Sequence, residues 1–416
     1  MAARAFGIRG VWAYAQERWY LRALIGAALV SAVLAVVIVW VEWGGTPTDK
    51  RVALTFLINL VAVIGFQVFM GNSGVPTFGH VGFIALGAYT AAVLTTPTER
   101  KTAPSLIPDA PSFLLNAEFG FIPSLLFGVL IAVLVAAVAG LVIVRLRGGS
   151  AAIATLALLL IIRTVIGNWE EITRGPKTWS GIPEFTTVWV ALLVAVGAIF
   201  IARFFRESGV GLRLRATRTD ELASSAVGVD ISRARYASWV LSAGIAGAAG
   251  VLWAHYFLSL APQDFFFTLT FLYIVMVIIG GPSVSGAVAG AGAITLVTEF
   301  VRRSETGGIH LGPLDFDQVF GLTPVVLGLL VLLTVIKRPE GILGRWELDE
   351  LLSKATARFR ARRSGQAPGT VAAVDTQSFT DKDEELGAVG TRQQERTSSS
   401  PRRGKDKRSH EGGKNE

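Results

Sequence analysis

The residues best suited to chemistry in this chain lie in one polar stretch between two long apolar segments, Ser208 to Tyr236. Five arginines and three acidic residues stand there among small and apolar residues at helical spacing. This pattern predicts a short amphipathic helix at a membrane surface. Its chemistry would be non-covalent, and two interpretations are open: a helix on which a partner docks, or a solvated surface helix whose arginines snorkel.

Covalent and metal chemistry have no recognisable constellation in the sequence. The chain contains no cysteine, and its four histidines are scattered without metal-ligand spacing: His80, His255, His310 and His410. Neither a nucleophile elbow nor a phosphate-binding GxxxxGK[ST] loop occurs. We therefore expect no enzyme, no bound metal and no cofactor. If the protein moves a solute against a gradient, the energy must come from an ion or from an ATPase on another chain.

Two glycine-rich turns between apolar segments are candidates for a translocation path. The first is Gly71 to Leu94, in which Pro76 prevents a continuous helix; the second is Ile278 to Arg303. Broken helices of this kind line the solute path of transporters, while tight helix packing explains the same glycines equally well. The candidate path residues are Gly74, Gly79, His80, Gly87, Gly280 and Gly281.

Three ionisable residues fall inside apolar segments, where a charge needs a partner or an aqueous cavity. His80 could hydrogen-bond a solute, although a packed histidine that satisfies a backbone carbonyl is the simpler expectation. Arg163 falls late in its segment and is expected to snorkel towards the interface. Glu299 lies close to Arg302 and Arg303, so a local ion pair explains it better than proton coupling does.

The elements that must position these residues are membrane helices. Of the 416 residues, 51% are hydrophobic and only 17% are charged, against about a quarter charged in soluble proteins. A transmembrane helix needs about 20 mainly apolar residues. The ranges that qualify, several of them short, are 22–41, 52–70, 78–95, 121–144, 150–167, 186–205, 234–256, 267–281, 284–301 and 319–336. The sequence thus predicts an all-α polytopic membrane protein with about ten transmembrane helices, some short or broken.

Lysines and arginines near the ends of these ranges predict the orientation. With the N-terminus in the cytoplasm, the loop 206–233 and most clustered arginines also lie there, and the outer side receives only pairs of basic residues. An even number of spans returns the C-terminus to the same side, so both termini are expected in the cytoplasm. The first apolar run has no cleavage pattern of a signal peptide and is interpreted as a true span.

Composition divides the chain into three parts: a cytoplasmic N-terminal segment 1–21, a transmembrane domain 22–344 and a basic cytoplasmic tail 345–416. The tail consists mostly of small, polar and charged residues, which cannot bury enough apolar surface to fold alone. We expect it to be largely disordered and able to touch anionic membrane lipid. The excess of basic residues, +8 at pH 7, is interpreted as membrane topology, so nucleic acid is not an expected partner.

Four motifs, in order along the chain, resemble the permease subunits of ABC importers for branched-chain amino acids, the LivM-like half. They are GNSGVPTFGHVGFIALGAYTAA, RLRGGSAAIATLA followed by ITRGPKTWSGIP, GLRLRATRTDELASSAVGVDISRAR, and GLLVLLTVIKRPEGILG. The resemblance covers about residues 50 to 344. The chain departs from the family at ITRGPKTW, where relatives have a glycine-rich LTGG-type turn. It departs again at GGPSVSG, where relatives have a separate GG-x-G turn whose third glycine is absent here.

The resemblance implies a multi-pass permease in the bacterial plasma (inner) membrane that moves a branched-chain or related amino acid inward. It implies three partners: cytoplasmic ABC ATPase subunits, a second permease of similar fold and an extracytoplasmic solute-binding protein. The stretch 208–235 would hold a cytoplasmic coupling helix seated in a groove of the ATPase. By motif, the docking positions are Arg213, Arg215, Arg218, Glu221, Ala223, Ala226 and Gly228.

Two alternatives stay open. Related permeases carry urea or short amides, and the binding protein generally selects the solute. An ion-coupled secondary transporter would work without an ATPase, but it needs carboxylates or cation sites at mid-membrane. The sequence has no Asp or Glu in the middle of any predicted span.

Overall fold

The computed structural model describes residues 8–103, 106–146, 148–307, 309–311, 314–316, 322–337, 341–344 and 347. The chain divides into two compact units, Met1–Leu351 and Leu352–Glu416, and all the described residues belong to the first. The predicted tail therefore lies, apart from Glu347, outside the described residues.

The described chain is almost entirely helical. Its helices are α1 (Ile8–Gly44), α2 (Pro47–Phe66), α3 (His80–Thr95), α4 (Thr98–Lys101), α5 (Ser112–Leu115), α6 (Phe121–Ile143), α7 (Gly149–Asn168), α8 (Glu170–Thr173), α9 (Val188–Glu207), α10 (Gly209–Thr219), α11 (Glu221–Ala226), α12 (Ile231–Phe257), α13 (Phe267–Gly280), α14 (Val284–Gly307) and α15 (Leu322–Lys337). A π-helical turn, Gln67–Gly71, extends α2. Two antiparallel strand pairs are short: β1 (Trp179–Ser180) with β2 (Ser259–Leu260), and β3 (Ile309–Leu311) with β4 (Leu314–Phe316).

Seven of the described helices are long and apolar enough to cross a membrane: Trp19–Gly44, Pro47–Gly71, Phe121–Ile143, Gly149–Asn168, Val188–Glu207, Ile231–Phe257 and Val284–Arg303. Three shorter apolar helices are His80–Thr95, Phe267–Gly280 and Val325–Thr334. Together they occupy the ten predicted ranges in order. The all-α polytopic membrane fold is confirmed, while the count of ten spans stays a prediction because three helices are shorter than the hydrocarbon core requires. Helix α1 begins at Ile8, inside the segment that was expected to precede the first span.

Helix α12 forms the centre of the bundle, packed against α2, α3 and α6. Small residues allow these helices to approach closely. A Cβ atom on Gly87 would lie 2.1 Å from the carbonyl oxygen of Gly247, and one on Gly250 would lie 1.9 Å from that of Ile84. Only glycine fits at these two crossings of α3 and α12.

Two contacts of α2 identify the two ends of the bundle, one of which carries the clustered arginines. Arg218 of α10 donates to the carbonyl oxygen of Gly71 at 2.7 Å, which places α10 and α11 beside the last residue of the π-helical turn. Arg303 of α14 lies 3.6 Å from Asp49 in the first turn of α2. Because α2 runs from one of these contacts to the other, the two contacts lie at different ends of the bundle. The end that carries α10 and α11 is called the arginine-rich end, and the end with Asp49 and Arg303 is called the opposite end.

The opposite end includes a compact loop built around a buried lysine. The Nζ of Lys101 donates to the carbonyl oxygens of Leu114, at 3.0 Å, and Ala117. The carboxylate of Glu118 accepts the backbone N–H of Thr98 at the start of α4. Burial lowers the pKa of Lys101 to about 8, although the nearby Glu118 opposes the shift.

Candidate functional site

The polar stretch that was predicted as one amphipathic helix forms two short helices, α10 and α11. The break lies at Asp220, which has extended backbone and whose side chain accepts the N–H of Ala223 at 2.9 Å. Ser208 caps α10 in the same way by accepting the N–H of Gly211 at 3.2 Å. Side chains of this kind compete with the helical backbone for its hydrogen bonds and so favour helix starts, which is why the helix divides.

Three of the seven predicted docking residues hold α10 and α11 against the bundle. Arg218 donates to the π-helical turn, as described above, and Arg215 donates to the carbonyl oxygen of Arg206 at 3.0 Å. Glu221 accepts a hydrogen bond from Arg235 of α12 at 3.2 Å. These contacts fix the two helices in position and orientation.

Gly228 ends α11 in a Schellman motif. Its φ is +84°, its N–H donates to the carbonyl oxygen of Ser225 at 3.0 Å, and the next N–H, of Val229, donates to that of Ser224 at 3.1 Å. A positive φ at this position favours glycine. The predicted role of Gly228, a sharp exit from the helix, agrees with this geometry.

The outward side of α11 is apolar. Leu222 is 78% exposed and Val227 is 80% exposed, and Ala223 and Ala226 beside them are exposed too. The four residues share one face by their helical spacing and are called the α11 face below. Arg213 of α10 is also exposed. Of the seven predicted docking residues, Arg213, Ala223 and Ala226 therefore present side chains outward, and their docking role stays a prediction.

His80, a candidate path residue, is completely buried between aromatic rings. Its Nδ1 lies 3.0 Å from the hydroxyl of Thr77, and its Nε2 lies 2.8 Å from that of Ser242. The rings of Phe66 and Trp239 lie 4.9 and 5.1 Å away between centroids. This is a packed histidine, with two hydroxyls as its partners instead of the expected backbone carbonyl.

The glycine candidates of the path also lie in tight contacts. A Cβ on Gly79 would lie 2.9 Å from a carbonyl oxygen of α7. One on Gly280 would lie 2.2 Å from a carbonyl oxygen of α14. Gly74 and Gly281 have φ of +72° and +99°, and Gly87 lies at the crossing with α12 described above. In this conformation the candidates serve close packing, and their role in translocation stays a prediction.

The other two intramembrane charges have local partners. The guanidinium of Arg163 lies 4.3 Å from the ring centroid of Phe266, a cation–π distance. Glu299 accepts hydrogen bonds from Arg302 and Arg303, each at 2.8 Å. The predicted ion pair at Glu299 is confirmed.

Sequence reasoning missed a buried carboxylate at the arginine-rich end. Glu347 lies 3.1 Å from Arg203 and 2.9 Å from Arg206, both on α9. It also accepts the hydroxyl of Ser285 at 2.7 Å and the first N–H groups of α14, from Val284 and Ser285, at 2.9 and 3.1 Å. These five residues are called the Glu347 cluster. Burial raises the pKa of Glu347, but the two arginines and these hydrogen bonds outweigh burial and hold the pKa below its usual value.

The cluster joins the end of the transmembrane domain to its helices. The N–H of Ile342 donates to the carbonyl oxygen of Ile279 in α13 at 2.7 Å, so residues 341–344 lie beside the turn between α13 and α14. The sequence placed Glu347 in the tail. Its signal was indirect: Arg203 and Arg206, one helical turn apart at the end of a span, require a counter-charge.

A cavity of about 430 Å³ lies at the opposite end, between α2, α12, α13 and α14. It is called the α2–α14 cavity, and its polar lining includes Arg51, Thr55, Asn59, Thr298, Glu299 and Arg302. None of the candidate path residues lines it.

Comparison with known families decides the class of the protein. The family model described as "Branched-chain amino acid transport system / permease component" matches residues 50–335, which include α10, α11 and both glycine-rich turns. The chain belongs to this family. It is therefore a membrane transport permease of the ABC importer class and not an enzyme, which decides against the ion-coupled alternative.

Individual relatives in this family are distant. The LivM permease protein of the high-affinity branched-chain amino acid transport system of Escherichia coli K12 is 28% identical over 348 residues, 75% of this chain and 73% of the relative. The LivM protein of Salmonella typhimurium is 27% identical over 74% of each chain. A probable LivH permease protein of Methanocaldococcus jannaschii is 25% identical over 48% of this chain and 66% of its own length. No solved structure matches the chain.

Proposed function

We propose that this LivM-like permease moves a branched-chain or related amino acid into the cytoplasm across a bacterial inner membrane. It works with ABC ATPase subunits, a second permease of similar fold and an extracytoplasmic solute-binding protein. Family membership and the names of the relatives support the solute class. Urea and short amides are the alternative cargo, and the binding protein is the partner expected to choose between them.

The arginine-rich end faces the cytoplasm in this proposal, and so do both termini. The guanidinium groups of α9 to α12 support it, because basic residues accumulate on the cytoplasmic side of membrane proteins. The opposite end, with α4, α5 and the loop around Lys101, then meets the solute-binding protein.

The single observation that carries the proposal is the α11 face. Its leucine and valine are almost fully exposed, and burying such a side chain contributes about 1.5–3 kcal/mol. The cap at Asp220, the Schellman motif at Gly228 and the ion pair of Glu221 already hold this face in position. A groove of the ATPase would therefore bind it with little loss of conformational entropy, and a rigid-body movement of the ATPase would be transmitted to the bundle.

A charge placed on the α11 face tests the proposal. Ala226→Glu puts a carboxylate where a groove would close, so we expect co-purification of the ATPase and ATP-driven uptake to fall at least about tenfold. Ser225→Glu is the matched control, because Ser225 is exposed on the same helix but lies off the face. Retention of the ATPase by Ala226→Glu, or equal loss in both variants, would contradict the proposal.

Orientation has an independent test, because the chain contains no cysteine. Ser225→Cys introduces one exposed thiol on α11. A membrane-impermeant maleimide should label it in inside-out vesicles and not in intact spheroplasts. The reverse pattern would place the arginine-rich end outside.

A further inference from the structure

The α2–α14 cavity is lined by two polar stripes that face each other. The stripe on α2 comprises Thr48, Arg51, Thr55 and Asn59, and the stripe on α14 comprises Thr295, Thr298, Glu299 and Arg302. Counted from the first member, the stripe on α2 recurs at steps of 3, 7 and 11 residues and the stripe on α14 at steps of 3, 4 and 7, so each follows one face of its helix. Polar residues along a membrane-spanning helix are costly unless they face an aqueous cavity or a partner.

The cavity reaches from the opposite end of the bundle to the middle of the membrane. Asn59 is the central residue of the span Pro47–Gly71. From Arg51 to Asn59 the stripe is about 12 Å long, at 1.5 Å per helical residue. A solute in this cavity would therefore have passed halfway across the bundle.

Two of the polar groups that line the cavity are poorly satisfied. The hydroxyl of Thr298 is buried and has no hydrogen-bond partner among the described residues. Within the described part of the chain, the side-chain hydrogen bonds of Asn59 are long, 3.4 Å each to Thr295 and Tyr273. Buried polar groups are normally paired, so these atoms have capacity for a polar ligand or for water.

The charged residues in the lining suit a zwitterion. The guanidinium of Arg51 makes no ion pair with any acid in the described part of the chain, and a guanidinium binds a carboxylate through two parallel hydrogen bonds. Glu299 supplies the negative charge that an ammonium group needs, although Arg302 and Arg303 already donate to it. With Arg302 also in the lining, the cavity carries a net positive charge that favours the carboxylate end of a ligand.

The remaining lining is mostly apolar and includes Ile58, Leu269, Leu272 and Met276. Tyr256 adds one hydroxyl, which accepts from that of Thr55 at 3.4 Å. A volume of about 430 Å³ lies within the range of small-molecule sites, about 300–1,000 Å³. An aliphatic side chain would be buried by these residues while its charged groups stay with the stripes.

We propose that the α2–α14 cavity is a binding site for a zwitterionic α-amino acid with an aliphatic side chain. Arg51 binds the carboxylate, Glu299 binds the ammonium group, and Leu272 with Met276 contacts the side chain. This inference rests on the proposed function and adds to it a place on this chain where the solute binds after the solute-binding protein releases it.

A single thiol in the cavity provides the test. Thr298→Cys places the chain's only cysteine at the unsatisfied hydroxyl, and the assembled importer in proteoliposomes is labelled with N-ethylmaleimide, with modification of this chain followed by mass spectrometry. Leucine at ten times its half-protecting concentration should slow labelling about tenfold, by simple mass action. Leucinamide, which lacks the carboxylate, should not. Thr55→Cys on the facing helix gives the same readout if the first variant does not assemble.

The role of Arg51 is tested in the same background. Arg51→Gln should raise the half-protecting concentration of leucine roughly 10- to 100-fold, the loss expected for a hydrogen bond between charged groups. Lys50→Gln is the matched control, because it removes the same charge from the adjacent residue, which lies outside the cavity lining and pairs with Glu42. Lys50→Gln should retain the ATPase, its basal hydrolysis and the half-protecting concentration of the unaltered chain.

Four outcomes would overturn the site: no protection by leucine, equal protection by leucinamide, an unchanged half-protecting concentration in Arg51→Gln, or protection by urea instead of leucine. Urea is decisive because it carries no charge. If the unaltered importer takes up leucine while Thr298→Cys is not protected, only this inference fails. If no ATPase co-purifies with the chain, the proposed function itself fails.

Discussion

Replacing Glu347 by glutamine removes the one negative charge of the Glu347 cluster while keeping its size. The carboxylate is 1% exposed and pairs with Arg203, which is equally buried, and with Arg206, which is 6% exposed. Breaking a buried ion pair by neutralising one partner costs about 3–5 kcal/mol, because a buried cation loses its counter-charge. We expect Glu347→Gln to lower the free energy of unfolding by that amount, and the melting temperature by about 5–10 °C.

Thermal unfolding of the purified protein in detergent, followed by tryptophan fluorescence, measures this effect. Glu207→Gln is the control, since Glu207 lies 4.0 Å from Arg206 and from Arg215 and is 21% exposed. A contact of that kind contributes about 0–1 kcal/mol. If the two variants melted together, the cluster would not be a stabilising element and the reasoning from burial would be refuted.

The same cluster predicts a pH dependence. The folded pKa of Glu347 is below its ordinary value of 4.5, so the cluster stabilises the fold fully above about pH 4.5. This stabilisation is lost as the pH falls through the lower folded pKa, because the unfolded chain then binds the proton more readily than the folded one. Glu347→Gln should lack this part of the acid limb of the melting curve, whereas Glu207→Gln should keep it.

Three further predictions concern other parts of the fold. Gly87→Ala should lower the melting temperature, because its Cβ would lie 2.1 Å from an α12 carbonyl oxygen and overpacking costs about 1–3 kcal/mol. Gly197→Ala is the control: there is open space around its Cβ, so it should be neutral or stabilising. The buried Lys101 has a pKa of about 8 in the fold against an ordinary 10.5. Between these two values only the unfolded lysine still binds a proton, so the melting temperature should rise with pH across that range. Lys101→Met should remove this rise. Gly228→Ala should cost about 1 kcal/mol at its positive φ and reduce co-purification of the ATPase, and Gly228→Asn, which tolerates that backbone better, should reduce it less.

Most of the fold could be predicted because it follows from local composition. The hydrocarbon thickness of a membrane sets the length of a spanning apolar helix, so the range 121–144 could be assigned from its residues alone and agrees with α6 to within one residue. The ion pair of Glu299 with Arg302 and Arg303 was predictable for the same reason: its members are within one helical turn, and α-helical geometry brings them together.

Two of the three features that escaped prediction depend on contacts between residues distant in sequence. Glu347 meets Arg203 and Arg206 only in the folded chain, where it also binds the start of α14, more than 60 residues before it in the sequence. The α2–α14 cavity was not predicted because the residues of its two stripes are polar but mostly uncharged, and most of them lie within ranges that are apolar on average. The break at Asp220 was a local signal, since aspartate followed by glutamate is typical of a helix start.

Helix α2 with its π-helical turn connects the contact of Arg218 to the stripe that contains Arg51. Over 25 residues this rod is roughly 37 Å long, so a tilt of about 10° around its midpoint displaces each end by roughly 3 Å. That displacement is as large as a hydrogen-bond length, enough to make or break a contact with a bound solute. A movement of α10 would therefore change the width of the cavity at the opposite end of the bundle. Only the π-helical turn interrupts the regular α-helical backbone of this rod.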